Sequence, residues 1–208
     1  MIELWHCKDS RSLRALWMLE EIGLPYRLHL LSFPPRISDP SFLEVNPLGT
    51  VPYLIDGATR MTESAAIAQY LARRYGGDLA VAPEDAAYGD WLNWLHHSDA
   101  TLTFPQTLIL RYGRFEPRDR RQPQVVDDYT QWFFARLKLV NNRLETQEYL
   151  TAGRFTAADV AVGYAVHLAD VIGIGAGLKP QTRAWLERLR ARPAFQRAQS
   201  HGAPLPGV

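Results

Sequence analysis

A single cysteine, Cys7, among 208 residues has nothing to pair with inside the chain. An internal disulfide framework is therefore excluded, and this usage fits a reducing compartment. An excess of charge of one sign is missing too. Twenty-three basic side chains against twenty-two acidic ones give a net charge of +1, so no global field points to nucleic acid or an anionic membrane. Arginines cluster in RYGRFEPRDRRQP, Arg111 to Pro123, but Glu116 and Asp119 interrupt them and the aromatic platform of a nucleic-acid binder is missing. A solvated loop is the expectation there. No apolar run approaches the roughly 20 residues that span a bilayer. The start, MIELWHCKDSR, has no basic stretch leading into an apolar one, so no signal peptide is expected. No Cys/His cluster has ligand spacing, so no metal is expected. These absences point to a soluble, cytosolic protein with neither a membrane nor a nucleic-acid partner.

What is present is core-forming material: 47% of the residues are hydrophobic and six are tryptophan. The first part mixes periods. Ile2 to His6 reads as a strand, and Arg11 to Gly23 as a helix closed by glycine. Tyr26 to Leu31 alternates as a second strand. Val51 to Ile55, the Asp56-Gly57 turn and Thr59 to Thr62 read as an antiparallel hairpin, followed by a helix from Ser64 to about Tyr75. The Arg11 helix is apolar nearly all round, so burial on more than one side is expected. After a turn-rich linker the chain keeps helical spacing, through Tyr88, Trp91, Leu92, Leu95 and Leu102 and again through Val126, Tyr129, Phe133, Leu137, Val140 and Leu144. FTAADVAV carries a capping box, Thr156 with Asp159. The expected architecture is α+β: an N-terminal α/β domain over 1–76, a linker over 77–84, and an all-helical C-terminal domain over 85–208.

Several stretches, in this order and spacing, resemble the cytosolic glutathione S-transferases over nearly the whole chain. They are SRSLRALWMLEEIGLPY, NPLGTVPYL, ESAAIAQYL, FTAADVAV and RAWLERLRARPAF. HHSDATLTFP, His96 to Pro105, is similar to a bacterial and fungal subgroup, although Asp99-Ala100-Thr101 departs from its pattern. The resemblance implies a thioredoxin-like first domain, glutathione as co-substrate, a small hydrophobic electrophile as second substrate, and a homodimer.

The resemblance also assigns residues. It implies a cis bond between Val51 and Pro52, which lets the Val51 backbone pair with the extended tripeptide as an added strand. Proline at a strand start is otherwise unremarkable. Glu63 and Ser64 would hold the γ-glutamyl end, with the carboxylate at the helix N-terminus; Ser64 also suits a plain N-cap. The position before Val51 is often basic or glutamine in relatives, where it meets the glycine carboxylate. Here it is Thr50, with Arg36 as a replacement charge.

Only the thiolate of glutathione is a good nucleophile, so a donor to sulfur is required. HCKDSR contains no tyrosine, and Ser10 is the chosen donor, although counting back from Gly23 points nearer Asp9. A carboxylate there would raise the thiol pKa. Ser10 as a helix cap stands beside the catalytic reading. Leu102, Phe104, Pro105 and Tyr112 are candidates for the electrophile pocket. Two rival readings remain: a glutathione-dependent thiol transferase or reductase using Cys7 of the CKDS stretch, and a non-catalytic glutathione-binding module of the same fold.

Overall fold

Alternation sets the first strand. In the computed structural model, which describes residues 1–205, β1 (Ile2–His6) buries Ile2, Leu4 and His6 on one face, and Glu3 and Trp5 lie half-buried on the other. Glycine closes α1 (Ser12–Ile22): Gly23 takes φ 74°, open to it because it has no Cβ, and its amide donates to the Leu19 carbonyl. The chain returns as β2 (Tyr26–Leu30), parallel to β1 with Leu4 opposite Leu28. Short helices α2 (Pro35–Ser38) and α3 (Phe42–Val45) fill the irregular segment. The hairpin of β3 (Tyr53–Asp56) and β4 (Thr59–Met61) then adds antiparallel strands, giving a sheet in the order β2-β1-β3-β4. On its half-buried face Trp5 stacks on His29 of the neighbouring strand, 4.1 Å between centroids.

Every residue of α1 from Ser12 to Leu19 is buried, as its all-round apolar pattern requires. Its neighbours are β1, α4 (Ser64–Tyr75) and the C-terminal helix α10 (Pro193–Gln199). Phe195 of α10 meets Trp17 edge to face at 4.9 Å, Arg192 grips Glu21 through two bonds of 2.6 and 2.8 Å, and Arg197 pairs with Glu20 at 2.6 Å. The expected division assigned 85–208 to the helical part. Among the described residues, the packing instead groups Met1–Ala80 with residues 190–205, and sets Val81–Leu189 apart. The reason is long-range packing: Pro193 starts a new helix, and the aromatic and basic residues around it find Trp17, Glu20 and Glu21 on α1.

In the second unit, α5 (Tyr88–His96) and α6 (Phe104–Leu110) are joined by π-helical turns over His97–Thr103, and a second such stretch covers Arg111–Phe115. Helical spacing predicts helix through Tyr88 to Leu102, whereas a solvated loop is expected from Arg111, where the backbone instead keeps helical turns as far as Phe115. Pro105 has no N–H to give to the turn before it, and the ladder widens just ahead of that residue. The long α7 (Pro123–Arg143) buries Phe133, Leu137 and Val140. Helix α8 (Ala157–Val171) is buried over Ala157–Ala169, and α9 (Pro180–Arg190) packs Trp185, Leu186 and Leu189 inward. The capping box forms: Asp159 accepts from the Thr156 amide at 3.0 Å, and the Thr156 hydroxyl accepts from the Ala158 amide at 3.2 Å. Asp159 also accepts from the Leu150 amide at 3.0 Å, and full burial pushes its carboxyl up to about 6. Among the described residues, no helix is long and apolar enough to cross a membrane.

Candidate functional site

In the first unit, the loop before β3 is built by Asn46. This buried side chain accepts from the Leu48 amide at 3.2 Å and donates to the Thr50 carbonyl at 2.8 Å. Gly49, at φ 59°, fits between because a Cβ there would fall 2.7 Å from the Cβ of Arg36 and 2.9 Å from Leu43. Arg36 is exposed, with its stem against this loop, and Thr50 is exposed beside it. The Val51–Pro52 peptide bond is cis. The ladder between β1 and β3 begins only at Tyr53, so Val51 stands half-buried outside it.

At α4 the sequence offers a serine at a helix start. The cap position falls on exposed Glu63, and neither Glu63 nor Ser64 makes a side-chain capping bond. The Ser64 hydroxyl, 2% exposed, instead accepts from Arg14 Nη1 at 2.9 Å, and Arg14 itself is 0% exposed. A hydroxyl has one proton and two lone pairs. Accepting from Arg14 leaves the Ser64 proton to be donated elsewhere, next to the free amides of a twelve-residue helix.

The loop between β1 and α1 is dense in hydrogen bonds. Ser10 Oγ donates to the Cys7 carbonyl at 2.8 Å and lies 2.7 Å from Ser12 Oγ. The Ser12 amide donates back to Ser10 Oγ at 3.3 Å, while the cap position of α1 falls on Arg11. Ser12 Oγ accepts from the Cys7 amide at 3.2 Å and meets His6 Nδ1 at 2.7 Å. Asp9 takes φ 58°, and its carboxylate accepts from Gln199 of α10 at 3.2 Å. Burial pushes the Cys7 thiol up to about 12 and His6 down to about 4. At neutral pH both are uncharged.

The candidates proposed from the sequence divide between the two units. Ser10, Cys7, Arg36, Thr50, Val51, Pro52, Glu63 and Ser64 lie in the first. Leu102, Phe104 and Tyr112 lie in the second, where Leu102 is fully buried, Phe104 is about half exposed and meets Tyr129 edge-on at 6.4 Å, and Tyr112 is half-buried under Arg111. Sequence reasoning passed over four polar residues that shape these loops: His6, Ser12, Arg14 and Asn46. A signal for Arg14 was present, since a lone charge interrupts an otherwise apolar helix face.

This arrangement can accept an extended, zwitterionic ligand, with open strand backbone at Val51 and an uncapped helix start at Ser64. Comparison with known proteins agrees. A family described as the N-terminal domain of glutathione S-transferases matches residues 4–79. Glutathione S-transferase 3 of Zea mays is 30% identical over 93% of this chain and 90% of its own length. The chain belongs to the glutathione S-transferase family. Glutathione S-transferase 3 of Schizosaccharomyces pombe is 28% identical, covering 93% of this chain and 85% of the relative. A theta class glutathione S-transferase from the citrus canker pathogen Xanthomonas axonopodis pv. citri, solved with glutathione bound, superposes with a TM-score of 0.79 at 28% identity over 97% of this chain and 98% of that one.

Proposed function

We propose that this family member is a glutathione transferase that activates the glutathione thiol and joins its sulfur to a small hydrophobic electrophile. The observation that carries the reading is the Arg14–Ser64 pair at the start of α4, which presets a buried hydroxyl beside open helix amides. In this reading Ser64 and those amides take the γ-glutamyl carboxylate, and Glu63 faces the ammonium. The Val51 amide and carbonyl, presented by Pro52, grip the cysteinyl unit as an added strand. Thr50 and Arg36 meet the glycine carboxylate. Ser10 turns its proton from the Cys7 carbonyl to the sulfur. The S–H bond breaks with its proton passing to water. The sulfur lone pair then forms the new C–S bond, and any leaving group departs with its bonding pair.

The redox reading through Cys7 is disfavoured by burial. A thiol at 1% exposure, pushed up to about 12, supplies almost no thiolate at neutral pH. The lone cysteine suits a reducing compartment such as the cytosol. The protein acts as a homodimer in this reading, and light scattering at micromolar concentration tests that; a species of 23.6 kDa contradicts it.

Soaking crystals with glutathione and measuring which side chain lies within hydrogen-bond reach of sulfur tests the site directly. In solution, Ser10→Ala should lower conjugation of a test electrophile by about 10- to 1000-fold, by analogy with losing one oxyanion donor. A disulfide-reducing activity that vanishes in Cys7→Ser and persists in Ser10→Ala overturns the proposal in favour of the redox reading.

A further inference from the structure

The loop that carries Ser10 contains a hydrogen-bonded chain that conjugation alone does not explain. Ser10 Oγ lies 2.7 Å from Ser12 Oγ, and Ser12 Oγ lies 2.7 Å from His6 Nδ1, with all three residues buried. His6 Nε2 is buried with no hydrogen-bond partner among the described residues. The chain can run in two directions. If it runs inward, Ser10 donates to Ser12 and Ser12 donates to the ring. His6 then carries its proton on Nε2, leaving a buried N–H with no acceptor. If it runs outward, His6 Nδ1–H donates to Ser12 and Ser12 donates to Ser10. Nε2 is then a bare acceptor.

The single Ser10 proton lies on the Cys7 carbonyl at 2.8 Å, so Ser12 donates to Ser10 and the ring donates to Ser12; the network assigns the outward direction and the Nδ1–H tautomer. That direction also closes the count at both hydroxyls. Ser12 Oγ accepts from His6 and from the Cys7 amide and gives its proton to Ser10, whose oxygen at 2.7 Å is nearer than the Cys7 carbonyl at 3.2 Å. Ser10 Oγ accepts from Ser12 Oγ and the Ser12 amide, and its own proton is left for an outside acceptor. In the free protein that acceptor is the Cys7 carbonyl at 2.8 Å.

We infer that His6 and Ser12 are positioning residues that aim and polarise the Ser10 hydroxyl toward the glutathione sulfur. The inference rests on the reading of Ser10 as the sulfur's donor. Each hydroxyl that accepts a bond becomes a better donor, by about 10–30% per link. The thiolate therefore receives a hydrogen bond from a preset chain rather than from a freely rotating serine. The groups facing His6 are His201, Asp9 and Lys8. Desolvation first, then His201, with Lys8 adding, lowers the imidazole, and Asp9 opposes them. The ring stays neutral through the working range, so one tautomer serves throughout.

The test titrates the thiol of bound glutathione by its ultraviolet thiolate absorbance against pH, at saturating glutathione. Ser12→Ala and His6→Leu should each raise that pKa by about half a unit to one unit, a three- to tenfold loss of thiolate at fixed pH. His6→Asn, whose side-chain N–H falls near the Nδ1 position, should restore at least half of the shift seen with leucine, which a merely structural loss would not do. If Ser12→Ala folds poorly, the two His6 variants decide. A pKa unchanged in Ser12→Ala or His6→Leu while Ser10→Ala raises it overturns the chain and keeps Ser10. No shift in Ser10→Ala overturns the reading of Ser10 itself, and the chain with it.

Discussion

Replacing Ser64 with alanine removes one oxygen, and the structure says what that oxygen holds. It is the acceptor for Nη1 of a fully buried arginine at 2.9 Å, and it makes no capping bond of its own. The stability cost is therefore that of taking an acceptor from a buried charged donor, about 1–3 kcal/mol. A cap loss, at about 0.5–2 kcal/mol, overlaps this range but has no bond here to lose. If the same hydroxyl also donates to the γ-glutamyl carboxylate, a charged hydrogen bond worth about 1.5–3 kcal/mol goes too. Affinity for glutathione should then fall about 10- to 150-fold. Glu63→Gln keeps the shape and removes the proposed partner of the ammonium; being exposed, it should weaken binding less and leave the melting temperature nearly unchanged. Calorimetric titration with glutathione, run beside melting curves on each variant, separates the two effects. A lower melting temperature for Ser64→Ala with unchanged affinity would refute the binding role and leave Arg14–Ser64 as a packing device only.

Cys7→Ser should leave conjugation unchanged, and alkylating reagents should label Cys7 only after denaturation; rapid labelling of the native protein would contradict a thiol pushed up to about 12. Asp159 sits at about 6 in the fold against an ordinary 3.8, so its contribution to stability is full below 3.8 and lost as pH rises through about 6. Relative to Asp159→Asn, the parent should lose up to about 3 kcal/mol between pH 4 and pH 7 by denaturant titration; a difference that grows with pH reverses the sign and refutes it. Phe195→Ala should cost about 3–5 kcal/mol by emptying the site against Trp17, and a loss under 1 kcal/mol would mean that α10 is not needed to cover α1.

The order of strands and helices is legible from the residues alone, because period and punctuation are local. Alternation marked β1, the Asp56-Gly57 pair set the β3–β4 hairpin, and Gly23 closed α1. Val51, Pro52, Glu63 and Ser64 read as one motif only through the family resemblance, since by local pattern alone they suit a strand start and a helix cap. Tertiary structure decided what residues distant in sequence do to one another. The Arg14–Ser64 bond joins positions fifty residues apart, so a buried guanidinium, not a cap, fixes the serine. Helix α10 returns to α1 across more than 170 residues, and no local pattern encodes that return. At Ser10 the limit is finer. The sequence names three side chains within seven residues, but only their folding into one loop sets which hydroxyl accepts, which donates, and therefore where the last proton is free to go.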